Sequence, residues 1–279
     1  RDNNVAGFAG AIKWDNTSLL FYILLLFAAL LAIMFSHGKL KDNERAGEFY
    51  FLLYVAQAGM ILMVTARDLL IVFLSMEILS VSLYVLVGMF RAGKAQMEAM
   101  VKYFLLGSFS SAVFLMGLAL IYGASGATHF DSLYPATISS LHMLALFYIG
   151  VVMVLAGLGF KIAAVPFHMW APDAYEGADE SVAAFLAAAP KIAAFAVIYR
   201  LGMIMNLYTV ETLTAVIVVM SAGSMVLGNL AALKQTMLIR MLAYSGIAQV
   251  GYMLIGILVL PQSGAAALLF YLFVYVYEY

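Results

Sequence analysis

The feature that most limits this chain is a succession of apolar runs, each about as long as a bilayer is thick. A helix needs about 20 apolar residues to cross a membrane. Such runs recur at residues 18–36, 47–66, 69–90, 98–122, 141–166, 182–201, 211–233 and 237–260, and a ninth begins near 264. Nothing alternates apolar and polar with period 2, so a membrane barrel is excluded. Helices are the remaining structure that satisfies the backbone within lipid. Composition agrees: 66% of the 279 residues are hydrophobic and 10% are charged, against about 25% charged in an ordinary soluble domain. The expected fold is all-α, a polytopic transmembrane helix bundle in a lipid bilayer.

Composition also excludes function classes. A net charge of −1 gives no electrostatic footprint for nucleic acid. With no Cys, the chain offers no disulfide, no thiolate zinc site and no cysteine-ligated iron–sulfur cluster. His37, His129 and His142 fall in loops or at a span edge, so no metal site is expected. Gly157-Leu-Gly159 lies within an apolar span, the wrong setting for a phosphate loop. The start has neither a Met nor a basic n-region, so no signal peptide is expected. The chain ends inside an apolar run, 268–279, and is expected to be part of a longer membrane chain.

Lys and Arg set the orientation. One side collects Lys39, Lys41, Arg45, Arg91, Lys94, Lys234 and Arg240; the other holds Arg1, Lys13, Arg67 and Arg200. The first side, with loops 37–46, 91–97, 173–181 and 234–240, is expected to be cytoplasmic. Trp14, Trp170 and many of the tyrosines read as interfacial belts, and the 18 Met as core filling.

Several charges sit where lipid or dry protein is expected. Glu77 is near the middle of the third span, where an ionised group costs about 2.5–3.5 kcal/mol and usually faces a partner inside the bundle. It reads as a functional carboxylate or as a structural one bonded to a neighbouring Ser. Lys161 is deep in the fifth span, after Gly157 and Gly159 and before Pro166, which lacks an N–H and frees the carbonyl of Ile162. A lysine beside broken backbone at membrane depth is the pattern of a discontinuous transporter helix; snorkelling to the interface is the alternative. A Glu77–Lys161 pair would switch the amine between holding and releasing a proton. His168 lies seven residues on, two helical turns, and suits a relay if the break preserves phase; it suits a structural role as well. Lys191 follows Pro190 about ten residues from either end of the sixth span. Lys102, one turn after Glu98, is either half of an i,i+4 pair at a helix end or a relay group. Tyr244, Ser245 and Gln249 suit helix–helix hydrogen bonds.

Five ordered segments carry a family resemblance: Met76-Glu-Ile-Leu-Ser-Val-Ser-Leu-Tyr84, Glu98-Ala-Met-Val-Lys-Tyr-Phe104, Gly157-Leu-Gly-Phe-Lys-Ile-Ala-Ala-Val-Pro-Phe-His168, Trp170-Ala-Pro-Asp-Ala-Tyr-Glu-Gly177 and Leu242-Ala-Tyr-Ser-Gly-Ile247. Together, from about residue 15 to the end, they resemble the antiporter-like subunit N of respiratory complex I, the NADH–quinone oxidoreductase. The sister subunits L and M and the Mrp cation/proton antiporters share the ancestry. The resemblance implies inverted five-helix repeats. Residues 1–46 would form an N-terminal segment with one helix, 47–207 a first repeat with its helix broken near 161–175, and 211–279 the start of a second, incomplete repeat.

The resemblance also implies roles. Glu77 would modulate the channel lysine, Lys161 would be that lysine, Lys102 an additional buried lysine, and His168 with Lys191 the polar axis that passes protons on. The chain would be one subunit of a proton-pumping translocase in the bacterial inner membrane, beside other membrane subunits that include its sisters; the alternatives are an Mrp-type cation/proton antiporter subunit and a structural membrane subunit without its own proton path. NADH, FMN, iron–sulfur clusters and quinone would belong to partner subunits, with no cofactor and no redox chemistry in this chain. Two departures stand out: Asp179-Glu-Ser181 replaces a Pro-Thr-Pro or Pro-Ala-Pro type segment, and Tyr277-Glu-Tyr279 differs from the usual continuation.

Overall fold

A computed structural model describes residues 5–90, 93–135, 138 and 140–278. Arg1, Arg91 and Tyr279 lie outside the described residues. The apolar runs become long helices: α1 Asn16–Leu40, α2 Ala46–Thr65, α3 Leu69–Gly88, α4 Lys94–Ser125, α5 Leu141–Ile162, α7 Glu180–Met205, α8 Glu211–Ala232 and α9 Leu238–Leu258, with short α6 Trp170–Gly177 and α10 Ala265–Glu278. Eight of these are long and apolar enough to cross a membrane. Large apolar side chains lie exposed along them, among them Leu30, Phe51, Phe109 and Val219. Such an exterior is stable where hydrocarbon is the solvent.

Caps and breakers set the ends. Asp15 accepts a hydrogen bond from the Ser18 backbone N–H at the start of α1, and Asp68 accepts from that of Leu70 at the start of α3. α4 ends at Gly126 in the left-handed region, where glycine carries no Cβ penalty. Ahead of α1 lies an element the apolar pattern does not reveal, a two-stranded antiparallel hairpin of β1 Val5–Gly7 and β2 Ile12–Trp14.

All four expected loops are partly helical. Residues 37–40 finish α1, 173–177 lie in α6, and 238–240 open α9. Residues 94–97 of the fourth likewise open α4. Polar residues therefore extend the helices past their apolar spans, since leaving the membrane does not oblige a helix to stop.

α7 is the hub. It packs against α1, α2, α3, α5, α6, α9 and α10 and is buried almost throughout. Ala187, Ala188, Ala189, Ala193, Ala194 and Ala196 supply its small surface, which lets neighbours approach closely where hydrophobic force gives no advantage over lipid. Gly117 of α4 and Gly150 of α5 face each other so closely that a Cβ on either would fall under 3 Å from the other's carbonyl oxygen.

Candidate functional site

Charged groups gather at both ends of the bundle and at mid-depth. At one end, Asp15 accepts from Arg200 through both oxygens at 3.0 and 2.9 Å, and from Arg67 at 2.7 Å. Arg200 also donates to the Ser18 hydroxyl and the Val64 carbonyl. Burial alone would raise the Asp15 pKa. Hydrogen bonds from Arg200 and Ser18, with the Arg200 charge, outweigh that and hold the carboxyl far below the usual carboxylate range.

The other end carries Lys39, paired with buried Asp179, and a network in which Arg240 meets Asp173 at 2.8 Å and Glu176 at 2.6 Å. Lys102 meets Glu98 at 2.7 Å and Asp173 at 3.1 Å. Burial again works against ionisation of Asp173, and Arg240 and Lys102 overcome it, so its pKa is lowered. Lys102 is not the buried lysine that the resemblance implies. Its side chain is 47% exposed on this chain, because it leaves α4 near the bundle's end, where α6 supplies Asp173. The Asp179-Glu-Ser181 departure has a local function here: Asp179 accepts from the Ser181 backbone N–H and caps α7.

Between the ends lie two buried amines. Lys161, 2% exposed, donates from Nζ to Ser80 Oγ at 2.6 Å and stands 5.7 and 5.5 Å from the ring centres of Tyr84 and Phe160. It therefore does not snorkel. Ser80 is three residues beyond Glu77 on α3, one helical turn. Glu77 itself, half-buried, accepts from the Ser111 hydroxyl of α4. Among the described residues no ion pair within 4 Å joins Glu77 to Lys161; each is bonded to its own serine, Ser111 and Ser80. Lys191, 1% exposed, donates to Tyr275 Oη of α10 at 2.6 Å and to the Gly246 carbonyl of α9 at 3.3 Å.

The break after Lys161 is real but is made differently from the expectation. α5 stops at Ile162, and Ala163 takes a left-handed conformation with its N–H bonded back to the Phe160 carbonyl, three residues ahead of Pro166. Trp170 donates its indole N–H to the same Phe160 carbonyl at 2.9 Å, and the Val165 N–H finds Ser224 Oγ of α8. The non-helical backbone is thus satisfied by protein, as irregular structure at membrane depth requires. Helical phase is lost at Ala163, so His168 does not share the helix face of Lys161; it lies in the turn before α6.

Trp170, Tyr84, Tyr103 and Tyr275 are not belt residues either. All are buried, and Trp170 stacks on Tyr103 at 4.5 Å and Phe160 at 5.2 Å. Ser80, Ser111 and Tyr275 escaped sequence reasoning because hydroxyls and aromatics are unremarkable in an apolar run. Gln57 had a readable signal, a lone amide in the second span; it is buried in α2 with neither amide atom bonded to protein.

Known proteins share this architecture. Residues 66–278 match the family described as NADH:quinone oxidoreductase/Mrp antiporter, transmembrane. The "NADH-quinone oxidoreductase subunit N 2" of Syntrophobacter fumaroxidans is 45% identical over 95% of this chain and 56% of its own length. A chain of respiratory complex I from Thermus thermophilus superposes with a TM-score of 0.81 at 37% identity, over 98% of this chain and 57% of that one. A chain of the Mrp complex from Dietzia sp. DQ12-45-1b superposes with a TM-score of 0.83 at 25% identity, over 95% and 49%. The chain spans about half the length of the curated relatives it matches.

Proposed function

Because the chain belongs to the NADH:quinone oxidoreductase/Mrp antiporter transmembrane family, we propose that it is a proton-translocating membrane subunit of an NADH–quinone oxidoreductase. Protons move through the mid-depth groups Glu77, Lys161 and Lys191. His168 lies beyond the helix break, and Lys102 at the surface links the path to one end. Residues 47–207 act as a first antiporter-like repeat, and 211–279 as the start of a second, incomplete one. The end bearing Lys39, Lys94, Lys234 and Arg240 faces the cytoplasm, in a bacterial inner membrane.

One observation carries this reading. Two fully buried amines, Lys161 and Lys191, are held by hydroxyl and carbonyl oxygens, with no carboxylate within 4 Å among the described residues. An amine held this way keeps a place in the bundle without being locked in its charged form. Moving one proton against 100 mV requires about 2.3 kcal/mol. Electron transfer in partner subunits carrying NADH, FMN, iron–sulfur clusters and quinone supplies it. In the assembled complex, Lys161→Ala is expected to depress both pumping and the coupled electron transfer; pumping at the native rate would remove Lys161 from the path.

The likeness to the Mrp complex chain favours a second reading, a cation/proton antiporter subunit that works without electron transfer. Sodium-dependent proton transport by a purified complex free of flavin would select it.

A further inference from the structure

The amine of Lys161 needs an onward acceptor, and Ser80 is a poor one. Its hydroxyl accepts from Lys161 and commits its own proton to the Met76 carbonyl, a group that passes nothing on. Tyr84 is different. It follows Ser80 by four residues, so Glu77, Ser80 and Tyr84 form one stripe on α3 that rises about 10 Å from first to last. The α4 side of the seam keeps register, with Ser111 bonded to Glu77 and Gly107, one turn away, against the Tyr84 hydroxyl. A methyl group at Gly107 would collide with that oxygen. Tyr84 is 7% exposed; its hydroxyl lies beside that of Ser80 but makes no hydrogen bond of good geometry to the protein. A buried hydroxyl without a well-aligned partner is destabilising unless something else satisfies it, and a water molecule suits a polar seam that holds a carboxylate and an amine. Tyr103 and Phe104 close over the ring edge-on at 4.7 and 5.6 Å.

We propose that the Tyr84 hydroxyl binds a water molecule in the α3/α4 seam and relays protons between Lys161 and the end of the bundle that carries Lys39, Asp173 and Asp179. The inference rests on the proton-path reading above. In the relay, an N–H bond of the Lys161 ammonium breaks as an O–H bond forms on the water. The water then protonates the Tyr84 oxygen as the phenol's own proton leaves to a further water. No electron moves, and the phenol ends neutral.

Tyr84→Phe keeps the ring and its packing and removes only the hydroxyl. In the complete complex reconstituted in vesicles, it is expected to lower the rate of proton pumping at least about 10-fold, the scale of a lost proton-transfer group. Gly107→Ala should do the same by displacing the hydroxyl, and the double variant should be no worse than either single one. Pumping by Tyr84→Phe at the native rate, while Lys161→Ala is impaired, would overturn the role of Tyr84 alone. Native pumping by Lys161→Ala would overturn the path itself. If neither Tyr84 nor Gly107 variant assembles, a high-resolution map of the native complex decides. Water density within about 3 Å of the Tyr84 oxygen is expected, and a dry protein contact there would overturn the proposal.

Discussion

Two buried clusters of cations handle charge in opposite ways. At one end, Arg200 and Arg67 converge on Asp15 and are bonded directly to its carboxylate. At mid-depth, Lys161 and Lys191 meet only hydroxyls and a carbonyl, and Glu77 is bonded to Ser111 instead. Direct pairing with a guanidinium, which does not deprotonate, holds the carboxylate ionised down to strongly acid pH. A hydroxyl holds an amine in place whether or not it carries its extra proton. The first cluster fastens α1, α2 and α7 together; the second leaves protonation free to change.

That contrast is open to direct attack. The largest expected effects come from replacing each buried cation by Met. Lys161→Met and Lys191→Met should abolish most proton flux while the melting temperature of the purified complex stays level or rises, because a buried charge exchanged for apolar volume is often neutral or stabilising. Arg200→Met should do the reverse at assembly, leaving Asp15 a half-satisfied carboxylate. A sharp loss of stability in Lys191→Met would recast that amine as a structural tie between α7, α9 and α10.

Next in size is Asp15→Asn, expected to cost about 3 kcal/mol by leaving two arginines without their anion, read from thermal unfolding in detergent. Because the folded Asp15 pKa is lowered, its contribution is present above the ordinary carboxylate range and is lost as pH falls through and below it. The acid limb of the native stability profile should therefore flatten in Asp15→Asn; an unchanged limb would mean that other carboxylates set it. Smaller is Trp170→Phe, which preserves the stacking but removes the donor to the Phe160 carbonyl, for about 1–2 kcal/mol. Lys102→Ala should cost least, because its ion pairs are exposed. The loss should shrink further in high salt. A larger loss in the whole complex would show that a partner subunit buries Lys102.

Much of the fold was legible because each feature is written locally. A 20-residue apolar run declares a span without reference to its neighbours, which is why α2 and α8 fall within a residue of expectation. The partition of Lys and Arg is matched where its members form ion pairs among the described residues: Arg67 and Arg200 meet at one end, Lys39 and Arg240 at the other. Lys161 and Lys191 were visible as charges too far from any helix end. What failed depended on three dimensions. His168 was placed by counting turns through a helix that Ala163 terminates, and Trp170 was assigned to a belt by residue type alone.

The amino-acid sequence by itself determined that this chain is a bundle of membrane helices, which segments cross, and that a few ionisable groups lie at mid-depth, since the transfer free energy of each run depends only on its own residues. Only the tertiary structure decided which partner each of those groups has. Hydroxyls and carbonyls come to Lys161 and Lys191, and carboxylates to Arg200 and Arg240, from helices distant in the chain. Whether a buried cation is locked or free to titrate follows from those pairings.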